Sequence, residues 1–238
     1  MTPQDRLYCA IDVDSVDAAT ALIAEVADHI GGIKLGLEFF VANGPAGVSS
    51  IRSRYSSVPL FLDFKLHDIP NTVSGSVAAA TALAPTFITV HAAGGAAMIA
   101  AARAAAEQAA TSTRPKILAV TVLTSLDDAD LARLGIAGDT DAVVARWAQQ
   151  AVAAGADGLV CSAKELAVVR AAVGPGAVLM IPGIRLATDA VGDQKRVMDP
   201  AAAVRAGADY LVVGRPITQA DDPAAAAARF TEALRNVG

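Results

Sequence analysis

Two carboxylates and a lysine lie close together in a segment that otherwise has the composition of a buried strand. The segment reads LFLDFKLHDIPNT (60–72), and its charged residues are Asp63, Lys65 and Asp68. Because strand side chains alternate between faces, Asp63 and Lys65 share one face, and Asp68 lies past the strand end. Buried ion pairs add little stability, whereas perturbed charges concentrate at active sites. We therefore interpret the cluster as catalytic, with a structural ion network as the alternative.

The two carboxylates indicate which chemistry Lys65 performs. Schiff-base formation by a lysine needs a neutral amine, which arises through desolvation or neighbouring cations. Asp63 and Asp68 oppose that neutral state. The sequence therefore predicts a fixed cation rather than a covalent nucleophile.

Further polar residues follow or end other predicted strands. Asp12 follows the first strand, Lys34 lies on the second, His91 ends the fourth and Thr124 follows the fifth. Each has an alternative interpretation, as a helix cap, a surface lysine, a core imidazole and a turn hydroxyl respectively. Together they predict one functional constellation at the same edge of the fold.

The segments IPGIR and VVGRPITQADD have the features of a phosphate site. Gly214 permits close approach of the backbone, Arg215 can form two hydrogen bonds to phosphate oxygens, and Pro216 suits the first turn of a short helix. Arg185 precedes the polar segment LATDAVGDQKRV, which is long enough to act as a lid that carries Gln194 inward.

The elements that position these residues alternate along the whole chain. Short β-branched or aromatic runs are separated by alanine-rich amphipathic stretches, which indicates repeated βα units. We predict eight strands, at Leu7–Ile11, Ile33–Leu37, Leu60–Lys65, Phe87–His91, Ile117–Val122, Gly158–Cys161, Val178–Ile181 and Tyr210–Val213. The predicted helices include Asp17–His29, Ala96–Ala110, Thr140–Ala154, Ala163–Ala172 and Pro200–Ala206.

Eight such units predict an α/β fold, a single-domain TIM (β/α)8 barrel over residues 1–238. An open doubly wound sheet is the competing architecture, but no strand is followed by the G-x-G-x-x-G turn of dinucleotide-binding sheets. The recurrences AGADG and AGADY each join a helix to a strand, as equivalent steps of a barrel would.

Composition excludes several classes of function. A net charge of −5 provides no basic field for nucleic acid or an anionic membrane. The uncharged interval 69–102 is interrupted by proline, histidine and glycine, so we expect a helix, a strand and turns there rather than a membrane span. Two cysteines in apolar runs, and no secretory signal, favour the cytoplasm.

At this point the sequence resembles the orotidine 5′-monophosphate (OMP) decarboxylase family, specifically its bacterial branch. The match extends over nearly the whole chain, in the ordered motifs AID, IKLGLE, FLDFKLHDIPNTV, VHAAGG, VLTS, GLVCS, PGIR, DQKRV and DYLVVGRPIT. The D-x-K-x-x-D element is shared with related phosphate-binding barrels, whereas the ordered set is more specific.

The resemblance implies conversion of OMP to UMP by a homodimer, with Lys34, Asp63 and Lys65 of one subunit meeting Asp68 of its partner. It also implies a set of substrate-binding residues: Asp12 and Lys34 at the ribose hydroxyls, Thr124 at the pyrimidine, Arg185, Gln194, Gly214 and Arg215 at the phosphate, and in addition Ile69, Thr72 and Pro182.

Loss of CO₂ from C6 of the pyrimidine leaves an electron pair in the ring plane, where it cannot delocalise into the π system. An organic electron sink therefore gives no help, and the expected catalyst is a fixed cation without a cofactor. Lys65 is expected to stabilise and protonate this carbanion, while Asp63 and Asp68 position it.

Two other functions remain open from the sequence. Magnesium-dependent sugar-phosphate decarboxylases or aldolases share the D-x-K-x-x-D element, but they are expected to carry a carboxylate ligand where this chain has Lys34. A nucleotide-binding protein that has lost catalysis is the second alternative, and the retained charged residues argue against it.

Overall fold

Eight parallel strands close into a barrel in the computed structural model, which describes residues 1–186 and 198–235. Each strand pairs with the next along the chain, and the eighth pairs with the first. The strands are β1 (Leu7–Ala10), β2 (Gly32–Gly36), β3 (Leu60–Leu66), β4 (Phe87–His91), β5 (Lys116–Val120), β6 (Gly158–Val160), β7 (Val178–Pro182) and β8 (Tyr210–Val213). The predicted TIM barrel is confirmed.

Helices alternate with the strands as predicted. The described residues form α1 (Val16–Val26), α2 (Leu37–Arg54), α3 (Pro70–Thr81), α4 (Gly95–Ala109), α5 (Asp128–Arg133), α6 (Thr140–Ala153), α7 (Leu166–Val173), α8 (Pro200–Arg205), α9 (Arg215–Thr218) and α10 (Pro223–Arg235). Two predicted helices each include a 3₁₀ turn, at Ala27–His29 after α1 and at Ala163–Glu165 before α7.

The uncharged interval 69–102 forms α3, β4, a 3₁₀ turn and the first half of α4, as expected. Within the described residues, no helix has the length and apolar character needed to cross a membrane.

From the sequence alone, Thr72 or Ser74 could cap the helix that follows β3. This prediction is wrong, because α3 begins at Pro70 and both residues lie inside it. The fixed φ of proline suits the first helical position, and Ile69 is held in the extended conformation that a following proline favours.

Aromatic side chains close the amino-terminal end of the barrel interior. Tyr8, Phe61, Phe87 and Tyr210 come from the first or second residues of their strands. The Tyr8 ring packs edge to face against Phe87 at 5.7 Å and Tyr210 at 5.6 Å, and Phe61 packs against Phe87 at 6.0 Å. Such contacts add to the stabilisation from burial alone. This aromatic floor leaves only the carboxyl-terminal end open.

The two AGAD recurrences have the same structural role. Asp157 accepts a hydrogen bond from the amide of Ile117 at the start of β5, and Asp209 accepts one from Leu179 at the start of β7. Each carboxylate also pairs with an arginine: Arg114 with Asp157 and Arg170 with Asp209. These pairs lie at the amino ends of the strands. Residues at that end of a barrel are expected to contribute to stability rather than to catalysis.

Asp157 remains ionised well into the acid range. Burial, the largest single influence, raises its pKa, but it is outweighed by the hydrogen bonds from Arg114 and Ile117 and by the charges of Arg114 and Arg103, so the pKa lies below its usual value. The folded state therefore binds a proton on Asp157 less readily than the unfolded chain does.

We expect Asp157→Ala to lower the free energy of unfolding at pH 7 by about 2–3 kcal/mol, because it leaves Arg103 and Arg114 without their shared partner. The difference from wild type should persist above about pH 4 and shrink as pH falls through the depressed folded pKa. Urea titrations at a series of pH values measure both effects.

The matched control is Glu232→Ala, which removes an exposed carboxylate paired with Arg235 on α10. It should change the unfolding free energy by less than about 0.5 kcal/mol. Equal losses in the two variants would contradict the role assigned to Asp157.

Candidate active site

A pocket of about 160 Å³ opens at the carboxyl-terminal end of the barrel. Its charged lining is Lys34 on β2 and Asp63 and Lys65 on β3. The remaining lining is Phe61, Val120, Val122, Leu123, Thr124, Val160, Cys161, Pro182 and Val212. A mostly apolar cavity with a few convergent charges is the usual form of a small-molecule site.

The charged groups form one continuous chain of contacts. Asp63 Oδ2 lies 2.9 Å from Lys65 Nζ and 3.6 Å from Lys34 Nζ. Lys34 Nζ in turn donates a hydrogen bond of 3.0 Å to Asp12 Oδ1. On its other side, Asp63 Oδ1 accepts a hydrogen bond of 3.0 Å from the hydroxyl of Thr89. Negative and positive groups alternate along this series of contacts, from Asp12 to Lys65. Each charge is therefore next to a charge of opposite sign.

Asp63 is an anion in this setting. Burial, the largest influence, raises its pKa, but the charges of Lys34 and Lys65 and the hydrogen bonds from Lys65 and Thr89 outweigh it and bring the pKa below the usual value. The ionised carboxylate holds the Lys65 ammonium at the pocket wall, where 36% of that side chain remains exposed. Lys65 is thus both fixed and accessible.

Strand pairing brings these groups together. Lys34 on β2 is paired with Ala10 on one side and with Phe61 on the other, and Gly36 is paired with Asp63. A Cβ at Gly36 would approach Lys34 Nζ to 3.2 Å and Asp12 Oδ1 to 3.3 Å, so a larger residue there would displace one of these two groups by a few tenths of an ångström. This glycine leaves room for the Asp12–Lys34 pair, and its sequence context gave no sign of that role.

β3 does not continue as a regular strand to its end. Its pairing with β4 passes from Leu62 opposite Ile88 directly to Leu66 opposite Val90, so extra residues bulge out between them. Lys65 lies in this bulge with a φ of 49°, a left-handed conformation that is uncommon for residues other than glycine. Asp63 and Lys65 do share the pocket, as alternation predicted, but the bulge sets the direction of Lys65.

The structure decides between the alternatives for three other candidates. Asp12 is not a helix cap, because Ser15 caps α1. Lys34 is buried, at 9% exposure, rather than a surface lysine. His91 fits the imidazole alternative: its Nδ1 accepts a hydrogen bond from Ala93 N, its ring stacks on His67, and burial, His67 and Lys65 lower its pKa.

The predicted phosphate residues follow β7 and β8 as expected. Gly214 adjoins Ala10 and Asp12, and Arg215 is exposed at the start of α9, the short helix expected after the eighth strand. Arg185 is buried, with its main-chain N–H bonded to Met198 O and its guanidinium bonded to Ile184 O. Gln194 and the predicted lid lie outside the described residues.

Three predicted site residues face away from this chain's own pocket. Asp68 is exposed, and its Oδ1 accepts a hydrogen bond from the adjacent Ile69 amide at 2.6 Å. In the described part of the chain, it forms no ion pair with Lys65. Ile69 is 66% exposed and Thr72 is also exposed.

A protein-family model for the orotidine 5′-phosphate decarboxylase / HUMPS family matches residues 5–230, a range that contains all eight strands and every candidate site residue. The chain belongs to this family. Among its relatives, orotidine 5′-phosphate decarboxylase of Anaeromyxobacter sp. (strain K) is 51% identical over 234 residues, which cover 98% of this chain and 100% of the relative.

Two further relatives are also similar over most of their length. Orotidine 5′-phosphate decarboxylase of Rhodospirillum rubrum is 51% identical, with 94% of this chain and 92% of the relative covered. The crystal structure of orotidine 5′-phosphate decarboxylase from Lactobacillus acidophilus is 33% identical and superposes with a TM-score of 0.85, covering 96% of this chain and 98% of that one. Family membership and the barrel fold thus agree.

Proposed function

We propose that this protein decarboxylates orotidine 5′-monophosphate to UMP and CO₂ without a metal or organic cofactor, as a step of pyrimidine biosynthesis. The observation that carries the proposal is the Lys65 ammonium at the pocket wall, fixed 2.9 Å from an ionised Asp63. Membership of the decarboxylase family and relatives of that name at 51% identity support the same substrate.

The reaction requires a cation that is in position before the bond breaks. When the C6–CO₂ bond of OMP breaks, its electron pair stays on C6 in the plane of the ring and CO₂ leaves. A preorganised ammonium stabilises that charge without reorganisation, in surroundings where electrostatic interactions are stronger than in water. Lys65 then transfers a proton to C6 to give UMP, and its amine regains a proton from solvent.

Asp63 has a positioning role in this scheme. Its carboxylate holds Lys65 on one side and is itself held by Lys34 and Thr89, so the ammonium direction is set before substrate binds. Positioned charges of this kind act through orientation as well as through attraction.

The pocket fits the pyrimidine rather than the whole nucleotide. Its volume of about 160 Å³ lies below the roughly 300–1,000 Å³ of cavities that enclose drug-sized ligands. We propose that Thr124 and Pro182 line the base, since both line the pocket. The ribose then extends toward Asp12 and Lys34, and the phosphate toward Gly214, Arg215, Arg185 and Gln194.

The neighbourhood of Gly214 supports this direction for the phosphate. Gly214 adjoins Asp12, so the ribose and phosphate sites are contiguous around the barrel rim. Remote contacts of this kind supply binding energy that lowers the barrier at the reacting centre.

We propose that the active unit is a homodimer in which Asp68 reaches the pocket of the other subunit. In its own chain Asp68 is exposed and bonded to the next amide. The adjacent Ile69 is 66% exposed, and Leu37 and Val41 in the first turns of α2 are 51% and 80% exposed. Exposed apolar patches are typical of interaction surfaces.

An apolar groove of about 260 Å³ adds to this surface. It lies where α2, the end of β3 and α3 meet, and its lining includes Phe40, Phe64, Leu66 and Leu83. A second copy that covers the groove would bring its own Asp68 segment beside the pocket. Ile69 and Thr72 do not line the pocket of their own subunit. By the same argument, we propose that they contact the substrate bound in the partner subunit.

The position of Lys34 disfavours the magnesium-dependent alternative. Its ammonium lies 3.0 Å from Asp12 and 3.6 Å from Asp63, so a cation already occupies the space between the two carboxylates. Mg²⁺ prefers oxygen ligands and would be repelled there.

We also propose a cytoplasmic location. The two thiols, Cys9 and Cys161, are buried and unpaired, and burial raises the pKa of Cys9 to about 12. Unpaired cysteines of this kind are typical of proteins from reducing compartments.

We expect the purified protein to consume OMP in an ultraviolet assay and to keep its full rate in excess EDTA, because the cation proposed to stabilise the carbanion is the Lys65 ammonium rather than a metal ion. Product analysis should give UMP and CO₂ in equal amounts. Loss of activity in EDTA that returns with Mg²⁺ would favour the alternative, and absence of OMP turnover in any condition would contradict the proposal.

Replacing Lys65 should separate catalysis from binding. We expect Lys65→Ala to lower kcat for OMP by at least about 10³-fold, since it removes the charge that stabilises the transition state, while UMP still binds in calorimetry. Lys116→Ala, at the amino end of β5, is the matched control and should retain wild-type kcat. Near-normal turnover by Lys65→Ala would remove Lys65 from its assigned role.

Hybrid dimers test the shared site. Lys65→Ala and Asp68→Ala proteins, each inactive alone, should recover about a quarter of wild-type activity when mixed, since random pairing makes about half the dimers hybrids with one complete site of two. Subunit exchange is verified by native mass spectrometry with one subunit isotopically labelled. Demonstrated exchange without recovered activity would place Asp68 outside its partner's pocket.

A further inference from the structure

The Thr89 side chain occupies a buried position between two functional groups. It is fully buried, at 0% exposure, in the middle of β4. Its Oγ1 accepts a hydrogen bond of 2.8 Å from the main-chain N–H of Lys65 and donates one of 3.0 Å to Asp63 Oδ1. One hydroxyl therefore joins the backbone of the candidate proton donor to the carboxylate that holds its side chain.

The bulge in β3 explains why Lys65 needs this partner. Pairing with β4 is interrupted between Leu62 and Leu66, and the Lys65 N–H meets the Thr89 hydroxyl there instead of a carbonyl of the β4 ladder. An unsatisfied buried N–H would cost stability, and a lysine at a φ of 49° persists only where its surroundings hold it. The Thr89 hydroxyl meets both needs.

The two bonds also fix the direction of the proton. A threonine hydroxyl has one hydrogen, and because its oxygen receives the Lys65 N–H, that hydrogen is available for Asp63. Asp63 Oδ1 is then an acceptor, which leaves Oδ2 for the ammonium groups of Lys65 and Lys34. The carboxylate is thereby held in one orientation.

We propose that Thr89 is a positioning residue for the decarboxylation, because its hydroxyl ties the strained Lys65 backbone to the orientation of the Asp63 carboxylate. The inference rests on the proposed function, since it deepens the role of the same site. Thr89 does not line the pocket, so it acts through Asp63 and Lys65 rather than on the substrate.

The type of residue suits this role. A β-branched side chain has few χ1 rotamers, so a buried threonine on a central strand presents its hydroxyl in one direction. Serine would preserve both hydrogen bonds with less rigidity, whereas valine has nearly the same shape and neither bond. The series Thr89→Ser and Thr89→Val therefore separates the hydroxyl from the packing.

The barrel also offers a matched control. Thr121 is fully buried immediately after β5, and its hydroxyl donates to the main-chain carbonyl of Val160 rather than to a charged group. Thr121→Val removes one buried hydroxyl with the same change in shape. It reports the structural cost of the substitution without touching the Asp63 network.

We expect Thr89→Val to lower kcat for OMP by about 10–100-fold, because it removes one buried hydrogen bond to a charged group. The kcat of Thr89→Ser and of Thr121→Val should stay within about threefold of wild type. Since Thr89 does not line the pocket, the KM for OMP should change less than kcat. Loss of the hydroxyl donor should also move the acid limb of the pH profile upward, because Asp63 would then protonate at a higher pH.

Among residues 1–186 and 198–235, the charged groups that pair with Asp63 are Lys34 from β2 and Lys65 from β3, with Asp12 on the far side of Lys34. All three stay in place in every variant of the series. A change in the titration of Asp63 therefore reports the missing hydroxyl rather than a missing charge.

Carbon-13 NMR titration of the Asp63 carboxyl, with Asp63→Asn used for assignment, gives a readout that needs no substrate. A higher pKa of Asp63 in Thr89→Val, with wild-type behaviour in Thr89→Ser and Thr121→Val, supports the proposal. An unchanged pKa with unchanged kcat, or equal losses in Thr89→Val and Thr121→Val, overturns it. If Thr89→Val does not fold, Thr89→Ala is taken through the same measurements.

The titration also keeps the two proposals separate. Failure of the wild-type protein to consume OMP would overturn the proposed function, and the carboxyl titration would still decide whether Thr89 holds Asp63. Normal OMP turnover in Thr89→Val with an unshifted titration would remove Thr89 alone.

Discussion

The site depends on one largely buried carboxylate, Asp63, held between two ammonium groups. Burying a lone carboxylate costs several kcal/mol in real proteins, so its surroundings must supply compensating charges and hydrogen bonds. Lys34, Lys65 and Thr89 supply them, and the pKa of Asp63 falls below its usual value despite burial. The same contacts that keep the carboxylate charged also fix the Lys65 amine at the pocket wall. Stability of the charge network and the fixed position of the Lys65 amine therefore have the same origin at this end of the barrel.

The barrel divides its tasks between its two ends. At the amino-terminal end, aromatic rings fill the interior, and the carboxylates of Asp157 and Asp209 bond to strand amides and arginines. At the carboxyl-terminal end, the interior opens and the charges of Asp12, Lys34 and Asp63 face one another. A rigid base allows the other end to carry an exposed ammonium and a strained backbone, because the strands that present them are held elsewhere.

Two features concern residues outside the pocket lining. The large apolar side chains of Val41 on α2 and Ile69 before α3 are exposed, and Asp68 bonds to the adjacent Ile69 amide rather than to Lys65 of its own chain. The proposed homodimer would account for both features, since a second copy would bury the apolar side chains and bring a carboxylate to the facing pocket.

The sequence by itself determined the barrel and most of the site. Strand alternation and helical periodicity are local properties, so the eight strands and the charges at their ends could be read from short segments, as could the short helix after β8. Only the tertiary structure decided the bulge at Lys65, the space provided by Gly36 and the partnership of Thr89 with Asp63. Thr89 follows Phe87 on the inward face of its strand, which is the one sequence signal that a polar group enters the barrel there. These features depend on the register between strands and on contacts between residues about 24 to 27 positions apart, which no local pattern specifies.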